Sequence, residues 1–244
     1  MSGHSKWHNI QKTKGAQDAK RASMFTKISK EMIVAVKEGG SADPANNSRL
    51  ATVITKAKAA NMPNDNIKRV LDKASGAGNT DNYESITYEG YGPSGVAVIV
   101  ETMTDSRNRT AANMRHYFDK YGGNLGASGC VAWSFDRKGV LVIDNEEEEL
   151  EEDTVMMDAL DAGAEDFSNE GECFEITTDP DDFNAVADAL TAKGYRFVSA
   201  QVEMVPQNYQ KLEKEEDIKN MEKLLDMMED DDDVQNVWHN WDNE

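Results

Sequence analysis

The sequence predicts an α+β protein of three domains: an N-terminal three-helix bundle and two ferredoxin-like α/β domains, the third inserted into the second. Three observations lead there. Up to about residue 74 the apolar residues recur at the 3–4 spacing of amphipathic helices. From Tyr83 onward, short β-branched and aromatic runs alternate with helical stretches. The last helix and strand then have no place in the unit just before them, but would complete an earlier one. The expected boundaries are 1–78, then 79–137 with 206–244, and 138–205 as the insertion.

Met1 to about Ala22 has no clear hydrophobic period and reads as an extended or partly ordered basic arm. Ala22 to Glu38 reads as a helix, with Phe25, Ile28, Met32 and Val36 on its buried stripe. Lys20, Lys27, Lys30 and Lys37 lie well away from that stripe, and Gly39-Gly40 ends the helix. Asp43-Pro44 signals a second helix, Asp as cap and Pro at the first helical position. Leu50, Val53, Ile54 and Ala57 would face inward, with Arg49, Lys56 and Lys58 in water. Asn61-Met62-Pro63 breaks it. A third helix runs to Ala74, Ile67, Val70 and Leu71 inward and Lys68, Arg69 and Lys73 outward.

In the second domain, the strand around Ile86, Tyr88 and Tyr91 leads through Gly92-Pro93-Ser94-Gly95 to a buried run, Val96 to Thr102. Asp105-Ser106 starts a helix anchored by Met114, Tyr117, Phe118 and Tyr121, and Gly122-Gly123 ends it. Cys130 to Phe135 reads as a strand. The third domain follows the order β-α-β-β-α-β: strand Val140–Ile143, helix Glu148–Ala162, strands Ala164–Ser168 and Cys173–Thr177, helix from Asp179-Pro180 to Lys193, and strand Arg196–Val205. A helix, Glu213–Met228, and a strand, Val234–Trp241, then return to the second domain.

The net charge of −20 hides a segregation. Residues 1–75 carry net +8 and the remainder −28. The basic head points to phosphate, and Trp7 is available to stack on a base or ribose. The candidate contacts are Lys6, Trp7, Lys12, Lys14, Lys20 and Arg21 in and after the arm, Lys27 and Lys30 on the first helix, and Lys68 and Arg69 on the third. A merely solvated helical surface predicts the same lysines. Arg107, Arg109 and Arg115 sit at and along a helix start, where the dipole disfavours cations. They are secondary phosphate-contact candidates, or partners of the surrounding carboxylates.

Signals of catalysis are weak. No nucleophile elbow or P-loop is present. Gly122, Gly123, Gly126 and Gly129 could form an anion nest, but no P-loop lysine follows. Cys130 and Cys173 fit neither a disulfide framework nor a metal site. His4 and His8 lack a third metal ligand. The runs Glu146–Glu149 and Asp230–Asp233 lack the frame of a calcium loop and read as solvated helix ends. With mean hydropathy −0.69 and no signal-like apolar core, a cytoplasmic, non-membrane location is expected. No cofactor or metal is expected, and a monomer is.

Gly3-His4-Ser5-Lys6-Trp7, with Ile10, Lys14 and Asp18, resembles the N-terminal signature of the YebC family. Asn61-Met62-Pro63 with Ile67 and Arg69 is similar to a second block of that family. Tyr88-Glu89-Gly90-Tyr91-Gly92-Pro93 with Asp105-x-Arg107-Asn108-Arg109-Thr110 is similar to a third, and Gly122-Gly123-x-Leu125-Gly126 to a fourth. Ser94 and Cys130 depart from it, standing where Gly and Ser are expected. The family includes PmpR-type regulators and a mitochondrial translational activator of a cytochrome oxidase subunit. The resemblance implies three domains, no catalysis and a role in gene expression. Members are described as DNA-binding transcriptional regulators. The alternative is a ribosome-associated factor that relieves stalling at proline-rich stretches, meeting ribosomal or transfer RNA. An acidic body repelled by duplex DNA but attracted to basic ribosomal proteins makes that alternative physically easier.

Overall fold

The computed structural model describes residues 17–76, 82–145 and 150–243, with side chains from residue 21 onward. The arm residues Lys6, Trp7, Lys12 and Lys14, the pair His4 and His8, and the run Glu146–Glu149 lie outside that range, as does the side chain of Lys20.

The head is a three-helix bundle: α1 (Gln17–Gly39), α2 (Ser48–Ala59) and α3 (Asn64–Ser75). Helix α1 starts at Gln17, inside the segment read from sequence as an arm. Ile28, Met32 and Val36 pack with Leu50, Val53 and Ala57 of α2 and with Met62 and Ile67. The Asp43-Pro44 signal starts a short 3-10 turn, Pro44–Asn46, and α2 is capped by Asn47 instead. The Asn47 side chain accepts from Leu50 N at 3.0 Å and donates to the Ala35 and Ser41 carbonyls, each at 2.8 Å. One buried amide thus caps α2 and ties it to α1. It needs Gly39 beside it, because a Cβ there would fall 2.3 Å from the Asn47 amide nitrogen.

The second domain holds β1 (Glu84–Tyr91), β2 (Ala97–Thr104), α4 (Arg107–Lys120) and β3 (Asn124–Leu125). Its sheet has the order β3-β1-β2-β9, all antiparallel, with β9 (Val234–His239) at one edge. Helix α7 (Glu215–Glu229) precedes β9. Met114 and Phe118 of α4 and Met221, Leu224 and Met228 of α7 cover one face of the sheet, against Val96, Val98, Val100 and Val234. On the other face Val131 and Phe135 cover Ala97 and Ile99. Residues 130–134 form a turn and a 3-10 segment rather than the expected strand. The short strands β8 (Gln210–Lys211) and β10 (Trp241–Asp242) pair in parallel.

The third domain is β4 (Phe135–Asp144), α5 (Glu152–Ala162), β5 (Asp166–Asn169), β6 (Cys173–Thr178), α6 (Phe183–Ala192) and β7 (Ser199–Pro206). Its sheet order, β5-β6-β4-β7, is that of the split β-α-β motif. Leu141, Ile143, Phe174 and Ile176 of the sheet pack on Val155 and Ala159 of α5 and on Phe183, Val186 and Leu190 of α6.

The described residues form two compact units, one from residues 17–76 with 137–145 and 150–203, the other from 82–136 with 204–243. The helical head and the third domain share the first unit. Ala59 of α2 joins the third domain's core, and Asn184 of α6 donates to the Thr52 hydroxyl at 3.0 Å.

Candidate nucleic-acid interface

The head spends part of its positive charge internally. Lys56 reaches Glu31 at 2.7 Å, both side chains largely buried, and Arg49 pairs with Glu38. These are bundle contacts across α1 and α2: Lys56 is not the wet cation expected, while Arg49 stays in contact with water but is paired. Lys27 and Lys30 are half-buried and make interactions of their own. Arg21, Lys68 and Arg69 are exposed. Lys68 and Arg69 stand side by side on α3 because Ile67 takes the inward position of that turn. Among the described residues Arg69 makes only a long contact, 3.5 Å, to the neutral Asn66 side chain. With Arg21 and Lys37 on α1, Lys58 on α2 and Lys73 on α3, which are also exposed, this pair makes up the described basic surface of the head.

Two of the three arginines of α4 face carboxylates. Arg107 is bound by Glu84 at 2.7 Å. Arg109 lies 2.6 Å from Asp233 and 2.9 Å from Asp105. Asp233, first, and Asp105 raise the Arg109 guanidinium well above its ordinary value. Arg115 is exposed. The unfavourable position of cations at a helix start is thereby offset by neighbouring carboxylates.

Those carboxylates come from a run read as solvated. Asp233 is buried and accepts from the hydroxyls of Thr104 and Thr110 at 3.1 and 2.9 Å besides Arg109. Asp231 accepts from Asn113 at 3.1 Å and Tyr117 at 2.9 Å. Burial, with that Asp231 bond, pushes the Tyr117 hydroxyl up to about 12. Only Asp230 and Asp232 are exposed. The run therefore fastens the chain leading into β9 onto α4.

The glycine-rich loop after α4 binds an anion from within the protein. The buried carboxylate of Glu89, on β1, accepts from the backbone N–H groups of Gly129, Val131 and Ala132 at 2.6, 2.9 and 2.9 Å. Burial opposes its ionisation, but the three donors outweigh it and hold the carboxyl below its ordinary value. An external phosphate would have to displace Glu89. The same bonds explain why 130–134 is not a strand: these amides are committed across the chain and cannot join a ladder. In the sequence Glu89 is marked only by its place in the Tyr88–Pro93 motif, and its partners lie 40 to 43 residues away.

Neither thiol is activated. Burial, then the neighbouring acids, push Cys173 up to about 12, and burial with Glu89 raises Cys130. Among the described residues, no group of three potential ligands is placed to hold a metal ion, and no helix is long and apolar enough to cross a membrane.

With this architecture in view, the family models are decisive. The TACO1/YebC protein N-terminal domain matches residues 5–77, and the TACO1/YebC second and third domain matches residues 83–241. The chain belongs to the TACO1/YebC family. Relatives from Ruminiclostridium cellulolyticum and Finegoldia magna are each 57% identical to it. The first alignment covers 99% of this chain and 96% of the relative, the second 100% of both. Each of these two is named "Probable transcriptional regulatory protein". The crystal structure of a conserved hypothetical protein from Aquifex aeolicus superposes with a TM-score of 0.83 at 40% identity, covering 95% of this chain and 94% of that one.

The TACO1/YebC motifs map onto joints of the fold. Asn61 takes a left-handed φ of 57°, turning the chain so that Met62 is buried. At Gly123 a Cβ would lie 2.3 Å from the Tyr91 carbonyl oxygen, so the fourth motif closes on the third. Ser94, at φ 52°, occupies a conformation suited to glycine, and its hydroxyl donates to Asp217 at 2.6 Å.

Proposed function

We propose that this protein is a non-enzymatic regulator of gene expression that binds nucleic acid through its basic N-terminal domain. The names of its relatives support a regulatory role. The observation that carries the nucleic-acid reading is charge segregation: a head of net +8 presents exposed Lys68 and Arg69, while the rest of the chain is net −28. Arg107 and Arg109 are secondary contacts at most, since phosphate must compete with Glu84, Asp105 and Asp233.

The test is binding of the full chain and a Lys68→Glu/Arg69→Glu variant to duplex DNA across a salt series. Ribosome co-sedimentation in the same buffers runs alongside. Binding weakened about 10- to 100-fold in the variant, with a smaller salt slope, is expected. Undiminished binding by a folded variant overturns the assignment of the head. DNA binding that vanishes near physiological salt while head-dependent ribosome association persists would replace the transcriptional reading with the translational one.

A further inference from the structure

Helix α5 of the third domain displays two large apolar side chains to solvent. Met157 is 60% exposed and Leu160 49%. They stand three residues apart, so they share one face of the helix. Asp153 and Asp161 flank Met157 at four residues on either side, both exposed. Neither makes a hydrogen bond or ion pair among the described residues. The contrast within the helix is informative. Asp158 is engaged by Lys193 and Tyr195, and Glu152 by Asn169.

Asp161 is also badly placed for the helix itself. It lies in the last turn, where the dipole is negative, and α5 contains no Lys or Arg to offset it. The third domain compounds the effect, with 3 cationic and 20 acidic residues between 138 and 205. An approaching cation therefore meets a long-range attractive field, two uncommitted carboxylates and an apolar pair between them.

We infer that this face of α5, Met157 and Leu160 between Asp153 and Asp161, docks a cationic amphipathic helix of a partner protein. The occupant's apolar face covers the Met–Leu pair, and its Lys or Arg residues meet the two aspartates. Those aspartates stand two turns apart, ~12 Å along the axis at the helical rise. Two basic residues seven or eight positions apart on a partner helix span that distance. Methionine suits such a surface, since its unbranched side chain adapts to differing partners. Nucleic acid and anionic membrane are repelled by the same field. The site is thus separate from the basic head in both chemistry and ligand class.

The test uses the full chain and a synthetic Leu/Lys peptide that forms an amphipathic helix. A scrambled peptide of identical composition has the same charge but no apolar face. Isothermal titration measures affinity, and amide NMR shifts locate the contact. The amphipathic peptide should bind at α5 and the scrambled one far more weakly. Met157→Ser/Leu160→Ser should weaken binding about 10- to 100-fold, the loss expected for two half-buried apolar contacts. Asp153→Asn/Asp161→Asn should weaken it too and flatten its salt dependence. Glu222→Gln/Asp226→Asn on α7 removes equal charge elsewhere and should leave binding unchanged. Melting curves confirm that each variant is folded. Equal binding of both peptides, or full binding by the serine variant, reduces the effect to bulk charge and overturns the inference, as does no binding. Concentration-dependent self-association that the serine variant abolishes would make the occupant a second copy of this chain and overturn it equally.

Discussion

Replacing Glu89 by Gln isolates what one buried carboxylate does for the 126–134 loop. One oxygen receives Gly129 N–H and the other receives both Val131 and Ala132 N–H. Glutamine supplies one acceptor oxygen. Placed to keep Val131 and Ala132, it points its own NH2 at the Gly129 donor. Hydrogen bonds to a charged acceptor contribute about 1.5–3 kcal/mol each, against about 1 for neutral ones. At the low end of those figures, two bonds weakened by about 0.5 kcal/mol each and one lost at about 1.5 give a cost of about 2.5 kcal/mol. Glu89→Ala removes all three acceptors; water can reach the half-buried Gly129 and Ala132 amides but not the buried Val131 amide, and the cost should be about 4–5 kcal/mol. Trp133, Trp238 and Trp241 share the unit that contains this loop, so tryptophan fluorescence during urea unfolding reports on it. For a unit of this size the Gln variant should lose roughly 10 °C or more of melting temperature. Hydrogen exchange at Gly129, Val131 and Ala132 should accelerate. Because the native carboxyl lies below its ordinary 4.5, its stabilisation is complete above that pH and lost as pH falls through the lower native value. The Gln variant should lack that portion of the acid limb. A variant that melts within about 2 °C of the parent, with the three amides still protected, would refute the clamp.

Asp233→Ala strands two threonine hydroxyls and frees half-exposed Arg109, and should cost about 2–3 kcal/mol in the same melts; a loss under about 0.5 kcal/mol would refute its role. Ser94→Gly exchanges relief of left-handed strain for the lost bond to Asp217 and should be nearly neutral, whereas Ser94→Ala keeps the strain without the bond and should lose about 1 kcal/mol. Equal melting of the two would show that Ser94 is unstrained. Burial pushes His239 down to about 4 from an ordinary 6.5. Its contribution is therefore complete above pH 6.5 and fades as pH falls toward 4, up to about 3 kcal/mol in all. His239→Gln should flatten stability over that window, and a native histidine titrating near 6.5 by NMR would contradict it.

Where local pattern decides, the sequence was readable. Phe25, Ile28, Met32 and Val36 form a helical stripe, and the third domain's strands and helices alternate visibly. What eluded sequence reading depends on distant partners. Cys130-Val131-Ala132 has strand composition, and only Glu89, some forty residues earlier, converts it to a turn. The acidic run at 230–233 looks solvated until the end of β2 brings Thr104, and α4 brings Arg109, Thr110, Asn113 and Tyr117, to it. Asp43-Pro44 carries a helix-start signal, but Asn47 makes the cap because it also reaches the end of α1. At the candidate interface the outward facing of Lys68 and Arg69 followed from helical period alone. That Lys56 and Arg49 are spent on Glu31 and Glu38 did not, since those partners lie on another helix.

That internal expenditure sets a quantitative expectation for how the head binds. On duplex DNA the logarithm of affinity falls against the logarithm of salt with a slope near −0.9 per phosphate neutralised. Arg49 and Lys56 would have to leave ion pairs to contribute. Arg21, Lys58 and Lys68 have no ion-pair partner among the described residues, and Arg69 touches only a neutral amide. These four alone give a slope of about −3 to −4. If Lys6, Lys12 and Lys14 of the arm and Lys20 in the first turn of α1 also engage phosphate, the slope steepens to about −7. Reversing those four charges should then bring it back by about 3–4, while Lys68→Glu/Arg69→Glu should remove about 2. A slope that this four-lysine variant leaves unchanged would place binding on the rest of the three-helix surface alone. A slope unchanged by either variant would mean that no phosphate is neutralised where the charge is concentrated, and the segregation of charge would then serve protein partners instead.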